Sequence, residues 1–121
     1  MSNKQWGELG ETIASKYMED KGYQLIASNW RTRLGELDLV MMSPSDLLVV
    51  VEVKLRTNDH MGSGLDAVDQ RKIRKIYQMT EMFLLRNPKY RNFPVRIDVI
   101  SIVYDKVLDT PPVIMHIEGV L

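Results

Sequence analysis

Asp38, Glu52 and Lys54 follow one another in the order Asp-x13-Glu-x-Lys, and these are the residue types that metal-assisted hydrolysis of a phosphodiester needs. The two carboxylates are hard oxygen ligands suited to Mg²⁺ or Mn²⁺. An ion held there acidifies a water and neutralises charge on the phosphoryl oxygens, while the Lys54 ammonium orients or activates that water. The spacing has a plainer explanation as well, because polar residues on the solvent face of a half-buried hairpin give the same pattern.

The elements that must position these groups are two acidic strands. In Gly35-Glu36-Leu37-Asp38-Leu39-Val40, alternation puts Glu36, Asp38 and Val40 on one face and Leu37, Leu39 and Met41 on the other. In Leu48-Val49-Val50-Val51-Glu52-Val53-Lys54 it groups Val50, Glu52 and Lys54 against Val49, Val51 and Val53. If residues 43–47 close an antiparallel hairpin symmetrically about Ser45, Asp38 falls opposite Glu52 with both side chains on one face. Directly opposed like charges destabilise a sheet. The pair therefore asks for a compensator, either Lys54 or a divalent cation that both carboxylates ligate.

Around this hairpin the apolar periodicity predicts a helix over residues 5–21, with Trp6, Leu9, Ile13, Ala14, Tyr17 and Met18 recurring at three and four and Gly22 as its stop. Residues 23–30 read as a strand that turns through residues 31–35 into the acidic pair, and residues 57–64 read as a polar, glycine-containing loop. A second helix is expected over residues 65–85, with Val68, Lys72, Ile73, Ile76, Tyr77, Thr80, Phe83 and Leu84 on its stripe. Asn87-Pro88 ends it, and strands follow over residues 95–103 and 113–117. The fold class is α/β, an αβββαβ core with a mixed central sheet flanked by helices, plus a C-terminal strand.

A chain of 121 residues is read as one domain, residues 1–121, with a sizeable core. Lys and Arg total 16, as do Asp and Glu, so no global basic field announces nucleic acid. The distribution is uneven. Between residues 71 and 91, Arg71, Lys72, Arg74, Lys75, Arg86, Lys89 and Arg91 meet Glu81 alone, which is either a solvated helix face or a phosphate-binding surface. No cysteine is present, which excludes disulfides and thiolate metal sites. Residues 1–6 carry no apolar signal region and no stretch is long and apolar enough to span a bilayer, so a soluble, cytoplasmic protein without a membrane partner is expected.

Gly10-Glu11 with Ala14, Gly22-Tyr23, Asn29 with Arg31, Gly35 through Leu39, Val51-Glu52-Val53-Lys54 with Arg56, Lys72, Arg96-Ile97-Asp98 and His116-Ile117 occur in one order from about Glu8 to the C-terminus. On these residues the chain resembles the YraN-like family of uncharacterised bacterial proteins, which is similar to archaeal Holliday junction resolvases and to nucleases of the PD-(D/E)XK type. The resemblance implies a restriction-endonuclease-like or tRNA-endonuclease-like fold. It also implies a Mg²⁺- or Mn²⁺-dependent endodeoxyribonuclease, with DNA ahead of RNA and branched or structured DNA as the candidate substrate. Asp38 matches the family's acid, Glu52 and Lys54 its Glu-x-Lys, and Glu11 the helix-borne glutamate that resolvase relatives bring to the metal. Metal ligands would then be Asp38, Glu52 and Glu11, with Lys54 as base or electrostatic partner. Lys72 matches a lysine of the family's second helix. With Arg56, Arg71 and Lys75 it makes up the expected substrate-binding set, and a two-site resolvase analogue would be a homodimer. Ile97 replaces the family's usual aromatic, and Gly119-Val120-Leu121 departs from its usual ending.

Several polar residues are expected to serve the fold. Arg96 and Asp98 brace one strand face, Glu36 pairs with a basic neighbour or supports the site, and His116 is a packing or surface histidine with only His60 as a companion. Trp6, Trp30 and the five tyrosines, at helical or strand spacing, are read as core residues. Two other functions stay open beside the nuclease: a non-catalytic nucleic-acid-binding module of the same fold, and a protein-interaction domain whose carboxylates and Lys54 form only a structural charge network.

Overall fold

The computed structural model describes residues 2–57, 70–105 and 107–120. The loop expected beyond Thr57, with His60, and the expected first turns of the second helix, with Val68, lie outside the described residues. Helix α1 covers Asn3–Asp20 and starts two residues earlier than its apolar periodicity. The Ser2 hydroxyl accepts the Gln5 N–H at 3.2 Å while the Gln5 side-chain oxygen accepts the Ser2 N–H at 2.8 Å, a reciprocal cap that satisfies two otherwise unpaired donors. At the other end Gly22 adopts φ +93°, a left-handed turn that side chains resist, and so releases the chain into the sheet.

Five strands follow: β1 (Gln24–Thr32), β2 (Gly35–Met42), β3 (Leu48–Thr57), β4 (Val95–Tyr104) and β5 (Val113–Ile117), lying side by side in that order. All neighbours are antiparallel except β3 and β4. A parallel pair needs a long crossover, and helix α2 (Gln70–Arg86) lies in it, followed by a 3-10 turn at Pro88–Tyr90. The expected mixed sheet and the order αβββαββ are both present.

Each face of the sheet is covered by one helix. Ala14 and Met18 of α1 pack on Leu39, Met41, Val49, Val51, Ile100 and Ile102, and Ile76, Met79 and Phe83 of α2 pack on Val40, Leu48, Val50, Ile97 and Val99. Leu48 through Val51 are therefore all buried, as a strand covered on both faces must be. Two expectations are corrected. Leu37 joins the α2-side cluster with Val40 instead of lying with Leu39 and Met41, so strict alternation fails across Asp38. On α2, Met79 is buried where Tyr77 was expected, and Tyr77 remains 39% exposed, because the described helix rolls its core stripe toward Ile76, Met79, Thr80 and Phe83. The two departures from the family pattern meet: the Val120 N–H donates to the Ile97 carbonyl at 2.8 Å and both side chains are buried in the α2-side cluster.

Candidate active site

The β2–β3 turn sets the site. The Ser43 hydroxyl accepts the N–H groups of Ser45 and Leu47 at 3.2 and 2.9 Å, and the Ser43 N–H donates to the Leu47 carbonyl at 2.9 Å. Closure there pairs Met42 with Leu48 and Leu39 with Val51, symmetric about Ser45 as expected. The regular ladder stops at that pair. Asp38 and Glu52 lie just beyond it, where Asp38 Oδ2 accepts the Val53 N–H at 2.8 Å and the Asp38 N–H acts on the Glu52 carboxylate. A side chain thus takes over the strand pairing, which fixes the Asp38 carboxylate against β3.

Glu52 is 6% exposed, and its Oε2 has no hydrogen-bond partner; the same is true of Glu11 Oε1. Buried oxygens without donors are rare because burial removes their water. Burial pushes the Glu52 carboxyl up to about 7, the Asp38 charge adds to the push, and Lys72, the Asp38 N–H and Lys54 oppose it. Asp38 is raised as well, by burial and by Glu36, against the Val53 N–H, Lys72 and Lys54. Glu11 rises to about 7 through burial, then Asp38 and Glu36, so the electrostatic influence of Asp38 reaches both glutamates. Lys54 is lowered, first by burial and then by the neighbouring Lys72 amine, against the pull of Glu52 and Asp38.

Two clefts meet at this point. On the α2 side a cleft of about 570 Å³ is lined by Asp38, Glu52, Lys54, Arg71, Lys72 and Lys75. On the α1 side a cleft of about 700 Å³ is lined by Trp6, Glu8, Glu11, Arg31 and Asp38 among others. Glu36, Asp38 and Val53 belong to both. Of the expected substrate-binding residues, Lys72, Arg71 and Lys75 are brought together, whereas Arg56 on β3 pairs with Val103 of β4 and lines neither cleft. Glu36 pairs with Arg31 at 3.0 Å, which answers one of the two roles foreseen for it.

An all-carboxylate donor set with two unsatisfied buried oxygens fits a hard divalent cation. Among the described residues, however, no three His, Cys, Asp or Glu side chains are grouped closely enough to hold an ion. Asp38 and Glu52 form the near pair, and Glu11 approaches Asp38 from the α1 side.

A second polar cluster lies away from these clefts. Asp98 is fully buried and accepts from Arg96 Nε and an Arg96 terminal nitrogen at 2.9 Å each, and from the Gly119 N–H at 3.1 Å. His116 Nε2 lies 2.7 Å from Asp98 Oδ2, and the other ring nitrogen lies 3.0 Å from Lys21 Nζ. Burial would raise Asp98, but the bonds from His116, Arg96 and Gly119 outweigh it and hold the carboxyl below its ordinary value. Arg96 and Asp98 brace the fold as expected. His116 does more than fill space, since its side chain, 3% exposed, links α1 to β4. Only its position opposite Ile100 in the β4–β5 register reveals this.

Fold and site together define an α/β protein with an acidic pair, Glu52 buried and Asp38 half-buried, beside a basic cleft. The chain matches the Uncharacterised protein family UPF0102 over residues 10–102 and belongs to that family, the one its motifs resemble. It is 41% identical over 96 residues to a UPF0102 protein of Pseudomonas putida strain GB-1, covering 79% of this chain and 77% of that protein. It is also 40% identical over 101 residues to one of Ectopseudomonas mendocina strain ymp, covering 84% of each. A UPF0102 protein of Mycobacterium sp. strain KMS is 38% identical over 115 residues, 94% of this chain and 83% of its own length.

Proposed function

We propose that this chain is a divalent-metal-dependent endonuclease of the PD-(D/E)XK type, with a restriction-endonuclease-like core, that hydrolyses phosphodiester bonds in DNA, branched or structured DNA included. The observation that carries the reading is the Asp38 and Glu52 pair: two electrostatically coupled carboxylates, one half-buried and one buried with an oxygen that has no donor, lining a cleft walled by Arg71, Lys72 and Lys75. Asp38 and Glu52, with Glu11 from α1, would hold Mg²⁺ or Mn²⁺, which when bound supplies Lewis-acid polarisation of a phosphoryl oxygen and an acidified water.

The chain's own groups do the rest. The Val53 N–H holds Asp38 in place, so one carboxylate is positioned before any ligand arrives. Lys54, on the same strand face as Glu52, orients the attacking water or stabilises charge on the phosphoryl oxygens. Lys72, Arg71 and Lys75 contact the flanking phosphates. Two such sites related by two-fold symmetry would serve a four-way junction, so a homodimer belongs to this reading.

A second reading, a nucleic-acid-binding module that does not cut, draws support from the absence of a grouped three-acid set among the described residues and from Lys54 and Lys72, which already offset the carboxylates. The deciding experiment is Mg²⁺- or Mn²⁺-dependent cleavage of labelled four-way junction, flap, duplex and single-stranded DNA and RNA by wild type, Asp38→Ala and Lys54→Ala. The endonuclease reading expects cleavage that both variants lose. Salt-sensitive binding without cleavage by wild type would leave the binding module standing in its place.

A further inference from the structure

We infer that the cleft between α1 and the sheet receives one unpaired nucleobase next to the phosphate held over Asp38 and Glu52, so that the substrate is single-stranded at the point of cleavage. The inference rests on the endonuclease reading and specifies its substrate. A nucleic-acid strand that crosses Asp38 must continue into both clefts, and their walls differ. The α2 wall carries Arg71, Lys72 and Lys75 and suits phosphates. The α1 wall carries Glu8, Glu11 and Glu36 against Lys4 and Arg31, and Arg31 is already paired with Glu36 at 3.0 Å, so its balance is acidic and disfavours a phosphate backbone running along it.

What suits that wall is a flat group with N–H donors. Trp6, expected from its spacing to be a core residue, lines this cleft and also an apolar pocket with Leu9, Ile13, Leu55, Tyr104 and Pro112. The Tyr104 ring lies 6.5 Å from it. An indole backed in this way is a fixed surface for base stacking, which is tolerant of sequence because every base has a π face. The Glu8 carboxylate and the Asn3 amide supply acceptors for exocyclic amino groups, while the Asn29 oxygen already accepts the Arg31 Nε–H at 3.0 Å. Gly7 also lines the cleft, and a Cβ there would meet nothing within 4 Å. A volume of about 700 Å³ falls in the range of small-ligand sites. A base inside a duplex reaches such a cleft only by leaving its stack, so a strand already unpaired binds at lower cost.

The test uses the full chain with Ca²⁺, a hard cation that the same carboxylates would ligate, and with Trp30→Phe leaving Trp6 as the sole indole reporter. A short single-stranded DNA and a blunt hairpin duplex of the same sequence are titrated against it. The single strand should quench Trp6 fluorescence and bind on the order of tenfold more tightly than the duplex. Trp6→Leu should remove that preference, read by a label on the DNA. Because Trp6 also packs against apolar neighbours, Gly7→Leu is the second variant: its Cβ would meet nothing within 4 Å, its side chain would occupy the cleft that Gly7 lines, and leucine favours the helix, so it should abolish the preference in a protein at least as stable as wild type. Equal affinity for the two forms, or a preference that survives Gly7→Leu, would overturn the inference and leave the endonuclease reading in place. A wild type that binds neither form would overturn both.

Discussion

Glu52 Oε2 and Glu11 Oε1 concentrate the electrostatic strain of the site in two oxygens. Both carboxyls take up protons near pH 7 in the fold, against an ordinary value of 4.5. The folded chain therefore holds protons more tightly than the unfolded chain. Their contribution is most favourable below 4.5 and is lost as pH rises toward 7. Asp98 titrates below this window and adds no slope within it; its stabilisation disappears only as pH falls through its own depressed value. Thermal melts of the metal-free protein should show Tm falling across that interval, with a shallower fall in Glu52→Gln. A Tm that rises with pH there, or a slope that Glu52→Gln leaves unchanged, would contradict the strain. Asp38→Asn keeps an oxygen for the Val53 N–H but removes the charge that acts on Glu52. It should raise metal-free stability by about 0.5–1 kcal/mol, a few degrees in Tm. It should also abolish stabilisation by Mn²⁺. A metal-free variant markedly less stable than wild type would count against a metal site.

Element α1 delivers Glu11 because its neighbour is glycine. A Cβ at Gly10 would lie 3.3 Å from Leu55 Cβ and 3.4 Å from Val53 Cγ1, so α1 rests directly on β3. Gly10→Val should push the helix off the strand at a cost of about 1–3 kcal/mol. Urea denaturation would measure that loss, and a Mn²⁺ titration should show weaker binding as Glu11 withdraws from Asp38. Strand β4 depends on a different contact. Asp98→Ala leaves the Arg96 guanidinium and His116 without the carboxylate they share, and removing one partner of a buried ion pair costs roughly 3–5 kcal/mol. Because this cluster lines neither cleft, nucleic-acid affinity per folded molecule should stay at the wild-type level in a filter-binding assay.

At the scale of the whole molecule, a chain with no net charge has a cationic wall on the α2 side of its site and an acidic wall on the α1 side. On the endonuclease reading, such a protein would bind phosphate through a local contact surface and not through a long-range field. Removing Arg71 or Lys75 should weaken DNA binding across sequences and lower the slope of log affinity against log salt by about 0.7–0.9 for each cation that meets a phosphate. Arg56, outside both clefts, should leave that slope unchanged. Affinities measured across a series of salt concentrations separate the two outcomes. Among the described residues no helix is long and apolar enough to cross a membrane.

The order of helices and strands and the turn symmetric about Ser45 were legible in the sequence. All of them depend on local rules: the period of a strand, the period of a helix and the chemistry of a five-residue turn. Tertiary structure decided which side of the sheet Leu37 faces, because each face is covered by a helix and burial no longer distinguishes one from the other. It chose Met79 over Tyr77 on α2 for the same reason. It joined His116 to Asp98 and Lys21, residues 18 and 95 positions away, through strand pairing that no local pattern encodes. It also left Glu11 and Glu52 each with an oxygen lacking a donor and set a cationic cleft and an acidic cleft on either side of Asp38. Residue types and spacing name the groups that could meet, whereas burial and the approach of distant segments determine which groups do meet and which remain unsatisfied.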